Sequence, residues 1–286
     1  MRHLEHARGD IVLDRCLVMG IVNRTPDSFY DGGRTDLAES VEHALRLVDE
    51  GADILDIGGV RAGPGPEVEE NEEIDRLVPL VEDLARRVDI PLSVETTRAA
   101  VAQRALDAGA AIVNDVSGFA EPDLAAVCAR NRAAVVVMHH GGQIRGRPRN
   151  PRYDDVVEDV RNELDRLART AMAAEVGEAA ILVDPGLDFG KTTKHSLELM
   201  RRLGELIALP WPVLVAPSRK DVVGETLGLP VEERLEGTLA LVALAVDAGA
   251  AVVRVHDVAA SARVVAMVEA VAGRREPSAP VRGLWE

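Results

Sequence analysis

Eight short apolar runs recur along the chain, and each ends in a polar or ionisable residue. Their polar ends are Asn23, Asp56, Glu95, Asn114 with Asp115, His139, Asp184, Ser218 to Lys220, and Arg254 with His256. A strand buried on both faces of a parallel sheet reads as continuous Val, Ile and Leu. Eight such strands alternating with helices are the pattern of an α/β protein folded as a (β/α)8 TIM barrel. Chemistry in that fold sits at the carboxyl ends of the strands, so these residues form a candidate active site.

Hydrophobic periodicity predicts where the elements lie. The predicted strands cover 17–23, 52–59, 91–96, 111–116, 134–140, 180–186, 212–218 and 251–257. The predicted helices cover 36–50, 67–88, 98–109, 122–131, 154–176, 194–209, 231–247 and 258–272. We expect one domain over 1–286, with a barrel core at about 15–273, loose ends at 1–10 and 274–286, and long loops after strands one, two and seven.

Composition disfavours several classes of function. A net charge of −15 opposes binding to DNA or to an anionic membrane, and 2% aromatic residues leave few platforms for stacking bases. No apolar run reaches the roughly 18 residues of a spanning helix, and the opening MRHLEHARGD lacks the apolar stretch of a signal peptide. Cys16 and Cys128 lie in or beside apolar runs, so we expect reduced core thiols. These features favour a cytoplasmic enzyme.

One predicted helix is apolar all round. From Thr238 to Val246 it reads TLALVALAV, without a charged residue. An outer helix of a barrel normally keeps a solvent face, so we expect a second subunit to cover this one. The prediction is a homodimer through the 235–250 region, since symmetric dimers are the commonest oligomers. The alternative is that the terminal segment of the same chain covers the helix.

The polar strand ends divide by charge. A basic group follows strands seven and eight, where barrels often bind phosphate: Arg219, Lys220, Arg254 and His256. Such side chains suit a phosphate or pyrophosphate, with Arg as a bidentate fork and Lys as a point charge. The run RGRPRNPR at 145–152 is expected to be a solvated loop and not an anion clamp.

A second group can accept hydrogen bonds. Glu95, Asn114 and Asp184 offer carboxylate and carboxamide oxygens, which suit a heterocycle rich in N–H donors. Asn23 offers a hard oxygen ligand for Mg²⁺. A ligand with a heteroaromatic head and a pyrophosphate tail would satisfy both groups. The sequence shows neither a nucleophilic triad nor the spacing of a zinc site around His139 and His140.

At these residues the chain resembles the dihydropteroate synthase family. The motifs that carry the resemblance are MGIVNRTPDSFYDGG, DIGG, IVNDVSG, DPGLDFGKT, SRK, RLEGT and RVHDV, in the family's order between Met19 and Val258. The resemblance implies a homodimeric pterin-binding barrel of folate biosynthesis. Such an enzyme joins 6-hydroxymethyl-7,8-dihydropterin pyrophosphate to p-aminobenzoate with Mg²⁺, releases pyrophosphate and is inhibited by sulfonamides.

The resemblance also implies roles for individual residues. Asn23 would hold Mg²⁺ and pyrophosphate. The other implied substrate-binding residues are Ala62, Glu95, Asn114, Asp184, Lys220, Arg254, Val255 and His256. Ser218, Arg219 and Asp221 would lie on the p-aminobenzoate side. The implied catalytic residues are Asp184, Lys220, Arg254 and His256. Pyrophosphate would leave before the amine attacks, giving a pterin cation stabilised by Asp184 and Glu95 without a covalent enzyme intermediate.

The chain departs from the family pattern mainly in its loops. After DIGG the family reads Glu-Ser-Thr-Arg-Pro-Gly, whereas this chain reads Val60, Arg61, Ala62, Gly63, Pro64 and Gly65. Arg24 replaces a Val, Tyr30 a Ser, Glu95 an Asp, and Asp221 with Val222 a Ser-Phe pair. An Asp at 221 would repel the carboxylate of p-aminobenzoate, and Arg24 or Arg61 would be the residues to restore positive charge.

Two alternatives to an ordinary synthase stay open. One is a paralogue that keeps pterin and pyrophosphate binding but has weak or no synthase activity. The other is a different pterin-barrel enzyme, such as a methyltetrahydrofolate:corrinoid methyltransferase. The SRK and RVHDV motifs disfavour the latter, because a methyl donor carries no pyrophosphate to bind.

Overall fold

The computed structural model of the protein describes residues 2–24, 37–60, 68–142 and 150–282. Within them the chain begins with an antiparallel hairpin, β1 (Arg2–His6) and β2 (Gly9–Leu13). Eight parallel strands follow: β3 (Leu17–Asn23), β4 (Ile54–Gly58), β5 (Leu92–Glu95), β6 (Ile112–Asp115), β7 (Ala134–Met138), β8 (Ile181–Asp184), β9 (Leu214–Val215) and β10 (Val252–Val255). Their hydrogen-bonded order is β8-β7-β6-β5-β4-β3-β10-β9, and a parallel bridge between Val183 and Val213 joins the two ends. The predicted barrel is confirmed.

Helices alternate with these strands and cover them from outside. They are α1 (Leu37–Asp49), α2 (Glu70–Leu84), α3 (Ala99–Ala108), α4 (Asp123–Asn131), α5 (Val156–Ala173), α6 (Thr193–Arg201), α7 (Leu203–Ile207), α8 (Asp221–Leu227), α9 (Leu235–Ala248) and α10 (Val258–Val271). The helix predicted at 194–209 is two helices, because the backbone leaves the helical region at Arg202 (φ −108°, ψ 24°). The loop predicted after strand seven contains α8. The loops after strands one and two fall largely at 25–36 and 61–67, outside the described residues.

The amino-terminal hairpin corrects one prediction. Residues 1–10 were expected to be loose, but β1 contacts β7 and the side chain of Leu4 is fully buried. The backbone N–H of Ala7 donates to the carbonyl of Arg132 (2.8 Å), just before β7 begins. The hairpin therefore covers the amino-terminal end of the barrel, opposite the candidate site. Only Leu4 is apolar in RHLEH, so the charges around it hide the strand from a periodicity argument.

The carboxyl terminus and the two cysteines agree with the predictions made from the sequence. Residues 275–282 are exposed, and the free thiols of Cys16 and Cys128 are buried as predicted. On the outer face of α9 and α10, Leu244, Met267 and Val271 are 56%, 64% and 76% exposed. The described part of the terminal segment therefore leaves Leu244 of α9 exposed, although Nη2 of Arg274 donates to the carbonyl of Val246. Across the described ranges, we find no helix long and apolar enough to cross a membrane.

Candidate active site

Four neighbouring strands align one row of residues at the mouth of the barrel. The register pairs Asn23 with Gly58, Gly58 with Glu95, and Glu95 with Asn114. Partners in parallel register point to the same side of a sheet, so three of the predicted side chains share one layer of the interior. A Cβ at Gly58 would lie 3.5 Å from Oδ1 of Asn23, and its absence leaves room beside that carboxamide.

Asp56 lies on β4, one layer of side chains below the row of Asn23, Glu95 and Asn114. The substrate-binding residues predicted from the sequence do not include it. Its side chain is fully buried and accepts hydrogen bonds from Oγ of Ser93 (2.6 Å) and Nδ2 of Asn114 (3.0 Å). Its position at the end of a strand was a visible signal. What the sequence did not show is that Ser93, its register partner on β5, supplies a matching donor.

Arg254 reaches across the mouth from β10 and joins the two predicted halves of the site. Its Nε donates to Oδ2 of Asp56 (2.6 Å), and its Nη2 donates to Oε2 of Glu95 (2.5 Å). Burial raises the pKa of Glu95, and the charge of Arg254 opposes that shift. Burial works to lower the pKa of Arg254, but Asp56 and Glu95 together raise it above its ordinary value. The guanidinium therefore stays charged between two carboxylates.

Asp184 and Lys220 form a second charged group, near β8 and β9. Oδ1 of Asp184 accepts from the backbone N–H of Gly186 (2.7 Å), and Nζ of Lys220 donates to the carbonyl of Leu187 (2.9 Å). Burial raises the pKa of Asp184, which the positive charge of Lys220 opposes. Burial likewise lowers the pKa of Lys220, which Asp184 opposes. The ammonium also lies 5.1 Å from the ring centre of Phe189.

His256 is a hydrogen-bonding group and not a cation at neutral pH. Its backbone N–H donates to Oγ of Ser218 (3.1 Å), and that Oγ lies 2.9 Å from its Nδ1. A hydroxyl that accepts from the backbone N–H can donate its own proton to Nδ1, which leaves the proton of a neutral imidazole on Nε2. Burial and the nearby charge of Arg254 lower the pKa of His256 to about 4.

The charges of Arg219 and Asp221, beside the mouth of the barrel, are each paired with an opposite charge in the structure. Both guanidinium nitrogens of Arg219 that face Asp257 donate to its carboxylate (2.8 Å each), and the Arg219 backbone is left-handed, with φ 53°. Asp221 accepts from Nη1 of Arg234 (3.2 Å). The positive charge predicted from Arg219 and the repulsion predicted from Asp221 are therefore both offset by partners. These partners lie 38 and 13 residues away in the chain, which is why a local motif did not reveal them.

A buried lysine supports the segment after β8. Nζ of Lys191 donates to the carbonyls of His139 (3.2 Å), Gly186 (3.0 Å) and Phe189 (2.9 Å), and lies 2.7 Å from Nδ1 of His139. Burial, and then the charge of Lys191, lower the pKa of His139 to about 3. This pair fixes the loop that carries Asp184, a role that the position of His139 at a strand end did not indicate.

Comparison with known proteins decides the family. The model of the pterin binding enzyme family matches residues 19–256. A Mycobacterium leprae protein named inactive dihydropteroate synthase 2 is 48% identical over 281 residues, which cover 96% of this chain and 97% of that protein. The dihydropteroate synthase of Bacillus subtilis is 42% identical over 261 residues, which cover 90% of this chain and 89% of that enzyme. The chain belongs to the dihydropteroate synthase family.

Solved structures of that family agree with the fold. A Yersinia pestis dihydropteroate synthase with a sulfonamide drug complex matches with a TM-score of 0.91 at 39% identity, over 96% of this chain and 100% of that one. A Xanthomonas albilineans dihydropteroate synthase in complex with 7,8-dihydropteroate matches with a TM-score of 0.85 at 39% identity, over 97% and 100%. The family resemblance predicted from the motifs is confirmed.

The structure locates some of the residues at which this chain departs from the family pattern. Nη1 of Arg24 donates to the carbonyl of Arg76 (2.5 Å), so its side chain is directed to α2. Val255 is buried as the register partner of Gly20, where a Cβ would meet Val258 and Leu47. The side chain of Val255 therefore faces the helices, so the substrate contact predicted for this residue would have to be made by its backbone. Outside the described residues lie Tyr30, Arg61, Ala62 and Gly63.

Proposed function

We propose that this protein is a dihydropteroate synthase-type transferase that condenses 6-hydroxymethyl-7,8-dihydropterin pyrophosphate with p-aminobenzoate. The observation that carries the proposal is the layer of acceptors at the barrel mouth, with Glu95 and Asn114 in one register row and Asp184 buried at the end of β8. A pterin ring presents N–H and NH₂ donors that need such acceptors. The Bacillus subtilis and Yersinia pestis relatives carry the name of this enzyme.

The residues of the mouth divide the chemistry between them. Asp184 accepts from the pterin ring, and Oδ1 of Asn114 adds an acceptor because its Nδ2 is engaged by Asp56. Arg254 and His256 bind the pyrophosphate, with the guanidinium supplying charge and the neutral imidazole a donor. These groups stabilise the negative charge that develops on pyrophosphate as the C–O bond to the pterin methylene breaks. The resulting pterin cation lies against the carboxylates of Asp184 and Glu95 until the arylamine nitrogen adds to it and releases one proton to solvent.

Mg²⁺ fits this site as an ion that the substrate brings. Asn23 offers one carboxamide oxygen beside the open space at Gly58. The described residues contain no group of three His, Cys, Asp or Glu side chains able to hold a metal by themselves. Mg²⁺ commonly binds through one or two protein oxygens plus phosphates and waters, which this donor set allows. When bound, it would neutralise charge on the departing pyrophosphate.

A second candidate is a paralogue that binds the pterin substrate without turning it over. Two observations favour it. The Mycobacterium leprae relative, 48% identical, is named inactive. In this chain Glu95 also holds Arg254 across the mouth, where the pterin and pyrophosphate would meet.

The assembly we propose is a cytoplasmic homodimer. The apolar outer face of α9 and α10 supports dimerisation, because exposed apolar patches of this kind mark protein contacts. The buried, unpaired thiols of Cys16 and Cys128 suit a reducing compartment. Sulfonamides would compete with p-aminobenzoate on its side of the mouth, near Ser218. The sulfonamide drug complex of the Yersinia pestis relative supports this class of ligand.

The experiment that separates the two candidates follows pyrophosphate release from pterin pyrophosphate, p-aminobenzoate and Mg²⁺. We expect turnover in the native protein and a loss of about a hundredfold or more in Asp184→Asn, because a transition-state charge loses its partner. Asp53→Asn is the matched control, since Asp53 pairs with Arg15 at the other end of the barrel. Pterin binding by calorimetry without turnover would favour the second candidate. Absence of both would contradict both.

A further inference from the structure

The ion pair between Arg254 and Glu95 is largely buried. The side chains of Arg254, Glu95 and Asp56 are 16%, 9% and 0% exposed. Charges in such surroundings interact much more strongly than on a surface, and a ligand that needs either partner must replace the contact. The arrangement therefore affects every ligand that binds through Arg254 or Glu95.

The two carboxylates that bind Arg254 differ in their other hydrogen bonds. Asp56 is also held by Ser93 and Asn114, so its carboxylate stays fixed when Arg254 moves. Glu95 stands higher, in the row with Asn23 and Asn114. Of these two carboxylates, that of Glu95 therefore faces an incoming ligand. When Arg254 binds Glu95, the guanidinium occupies Oε2, an oxygen that could otherwise accept a hydrogen bond from a pterin.

We propose that Glu95 makes pterin binding dependent on an anion. Pyrophosphate competes with Glu95 for the guanidinium of Arg254, and its binding releases the Glu95 carboxylate to accept from the pterin ring. This inference rests on the proposed function, because it takes Arg254 as the anion ligand and Glu95 as a pterin acceptor. Nη2 of Arg254 occupies Oε2 of Glu95, so a bare pterin has to share this carboxylate with the guanidinium, whereas a pterin with pyrophosphate present does not.

The length of the Glu95 side chain is what makes the contact. Replacing Glu by Asp withdraws the carboxylate by about 1.5 Å, one carbon–carbon bond. The 2.5 Å contact between Nη2 and Oε2 would open to about 4 Å, which is beyond a hydrogen bond. Arg254 would keep its bond to Asp56, so Glu95→Asp removes the tether to Arg254 and retains a carboxylate at this position.

Coupling between two ligands is reciprocal, so it can be measured from either side. We expect pyrophosphate to strengthen the binding of 6-hydroxymethylpterin to the native protein by about tenfold, which corresponds to a coupling of about 1.4 kcal/mol. In Glu95→Asp we expect tighter binding of the bare pterin and a coupling close to onefold. A merely structural role for Glu95 would weaken binding without changing the effect of pyrophosphate.

The test is titration calorimetry of 6-hydroxymethylpterin with and without pyrophosphate, on the native protein, Glu95→Asp and Glu269→Asp. Glu269 is the matched control because it is a buried glutamate paired with Arg274, next to Cys16 at the far end of the barrel. Coupling that is present in the native protein and control but lost in Glu95→Asp supports the proposal. Equal coupling in all three proteins, or none in any, overturns it while leaving pterin binding intact. Absence of pterin binding in every protein, with or without pyrophosphate, overturns the proposed function as well.

Discussion

His139 shows how burial sets the charge of a single residue at this site. The residue is 5% exposed, and its Nδ1 lies 2.7 Å from Nζ of Lys191. A protonated imidazole would lose the acceptor that Lys191 uses and would place two cations together. The folded pKa of about 3 lies below the ordinary value of 6.5, so the fold prefers the neutral form. Its contribution to stability is complete above pH 6.5 and is lost as the pH falls from 6.5 toward 3.

His139 should therefore make the stability of the protein depend on pH below 6.5. Between pH 7.5 and pH 5, His139 should cost the native protein about 2 kcal/mol of unfolding free energy, at about 1.4 kcal/mol per pH unit below 6.5. In His139→Asn an amide oxygen can still accept from Lys191 but cannot titrate, so that part of the loss should disappear. Urea unfolding at the two pH values measures the difference. His256, Asp184 and Glu95 also titrate abnormally, but they are common to both proteins and cancel in the comparison. Burial lowers the pKa of Lys191 to about 7, so the same two variants are also compared between pH 6 and pH 5, where Lys191 is protonated in both. Equal pH dependence in the two proteins would show that the fold tolerates a charged His139.

Residues of the site were predictable where the strand alone places them. An apolar run that ends in Asn23, Glu95 or Asn114 puts its last side chain at the mouth whatever the loops do. Charge pairing was not predictable in this way. The sequence predicts a basic pocket that contains Arg219 and Arg254. In the structure Arg219 pairs with Asp257, and Arg254 pairs with Asp56 and Glu95. Such pairs depend on side-chain geometry between strands that are distant in the chain.

At the scale of elements, the turn after β8 depends on two glycines that no other residue can replace. Gly186 has φ 63°, and a Cβ there would lie 2.2 Å from the carbonyl oxygen of His139. Gly190 has φ 60°, and a Cβ there would lie 2.6 Å from Cα of Gly141. The turn must pass this close to the end of β7 because Lys191 binds the carbonyls of both segments. The glycines of DPGLDFGKT thus serve the position of Asp184.

We therefore expect Gly186→Ala to destabilise the protein by about 3 kcal/mol or more, from left-handed strain and a backbone clash. In a chain of this size that corresponds to a fall of about 5 °C in Tm. Gly204→Ala is the matched control, because Gly204 lies in α7 with nothing within 4 Å of its Cβ position. That change should be neutral or stabilise by up to about 1 kcal/mol. Thermal unfolding followed by circular dichroism compares the two variants, and a Gly186→Ala protein as stable as the control would contradict the close approach.

Long elements whose apolar residues recur with a clear helical spacing are predictable from the sequence, whereas short elements are not. Helix α5 was expected at 154–176 and lies at Val156–Ala173, because its apolar positions recur with helical spacing. Helix α8 has seven residues, DVVGETL, which are too few to show a period. Its start depends on contacts from elsewhere, since the backbone N–H of Val222 donates to Asp188. Short elements of this kind are stabilised by tertiary contacts that a local pattern does not contain.

For the whole molecule, charge restricts which surfaces can meet. Each chain has a net charge of −15, so two copies repel one another over most of their surface. The outer face of α9 and α10 differs, because its exposed residues include Leu244, Met267 and Val271. Burying such a face removes apolar surface from water and keeps the acidic surfaces apart. The proposed homodimer therefore follows from the distribution of charge as well as from the apolar helix.

The dimer can be tested by placing one charge on this face. In a twofold dimer the same patch contacts itself, so Leu244→Glu introduces two carboxylates into one apolar interface. Each would lose hydration among apolar neighbours, which costs more than the exposed Arg263 of α10 can return, and the protein should be monomeric at micromolar concentration. Met172→Glu is the matched control, since Met172 is a 38% exposed apolar residue on α5. Sedimentation velocity should give about twice 30.7 kDa for the native protein and the control, and 30.7 kDa for Leu244→Glu. A native protein that sediments as a monomer would contradict the dimer, and a Leu244→Glu dimer would place its interface elsewhere.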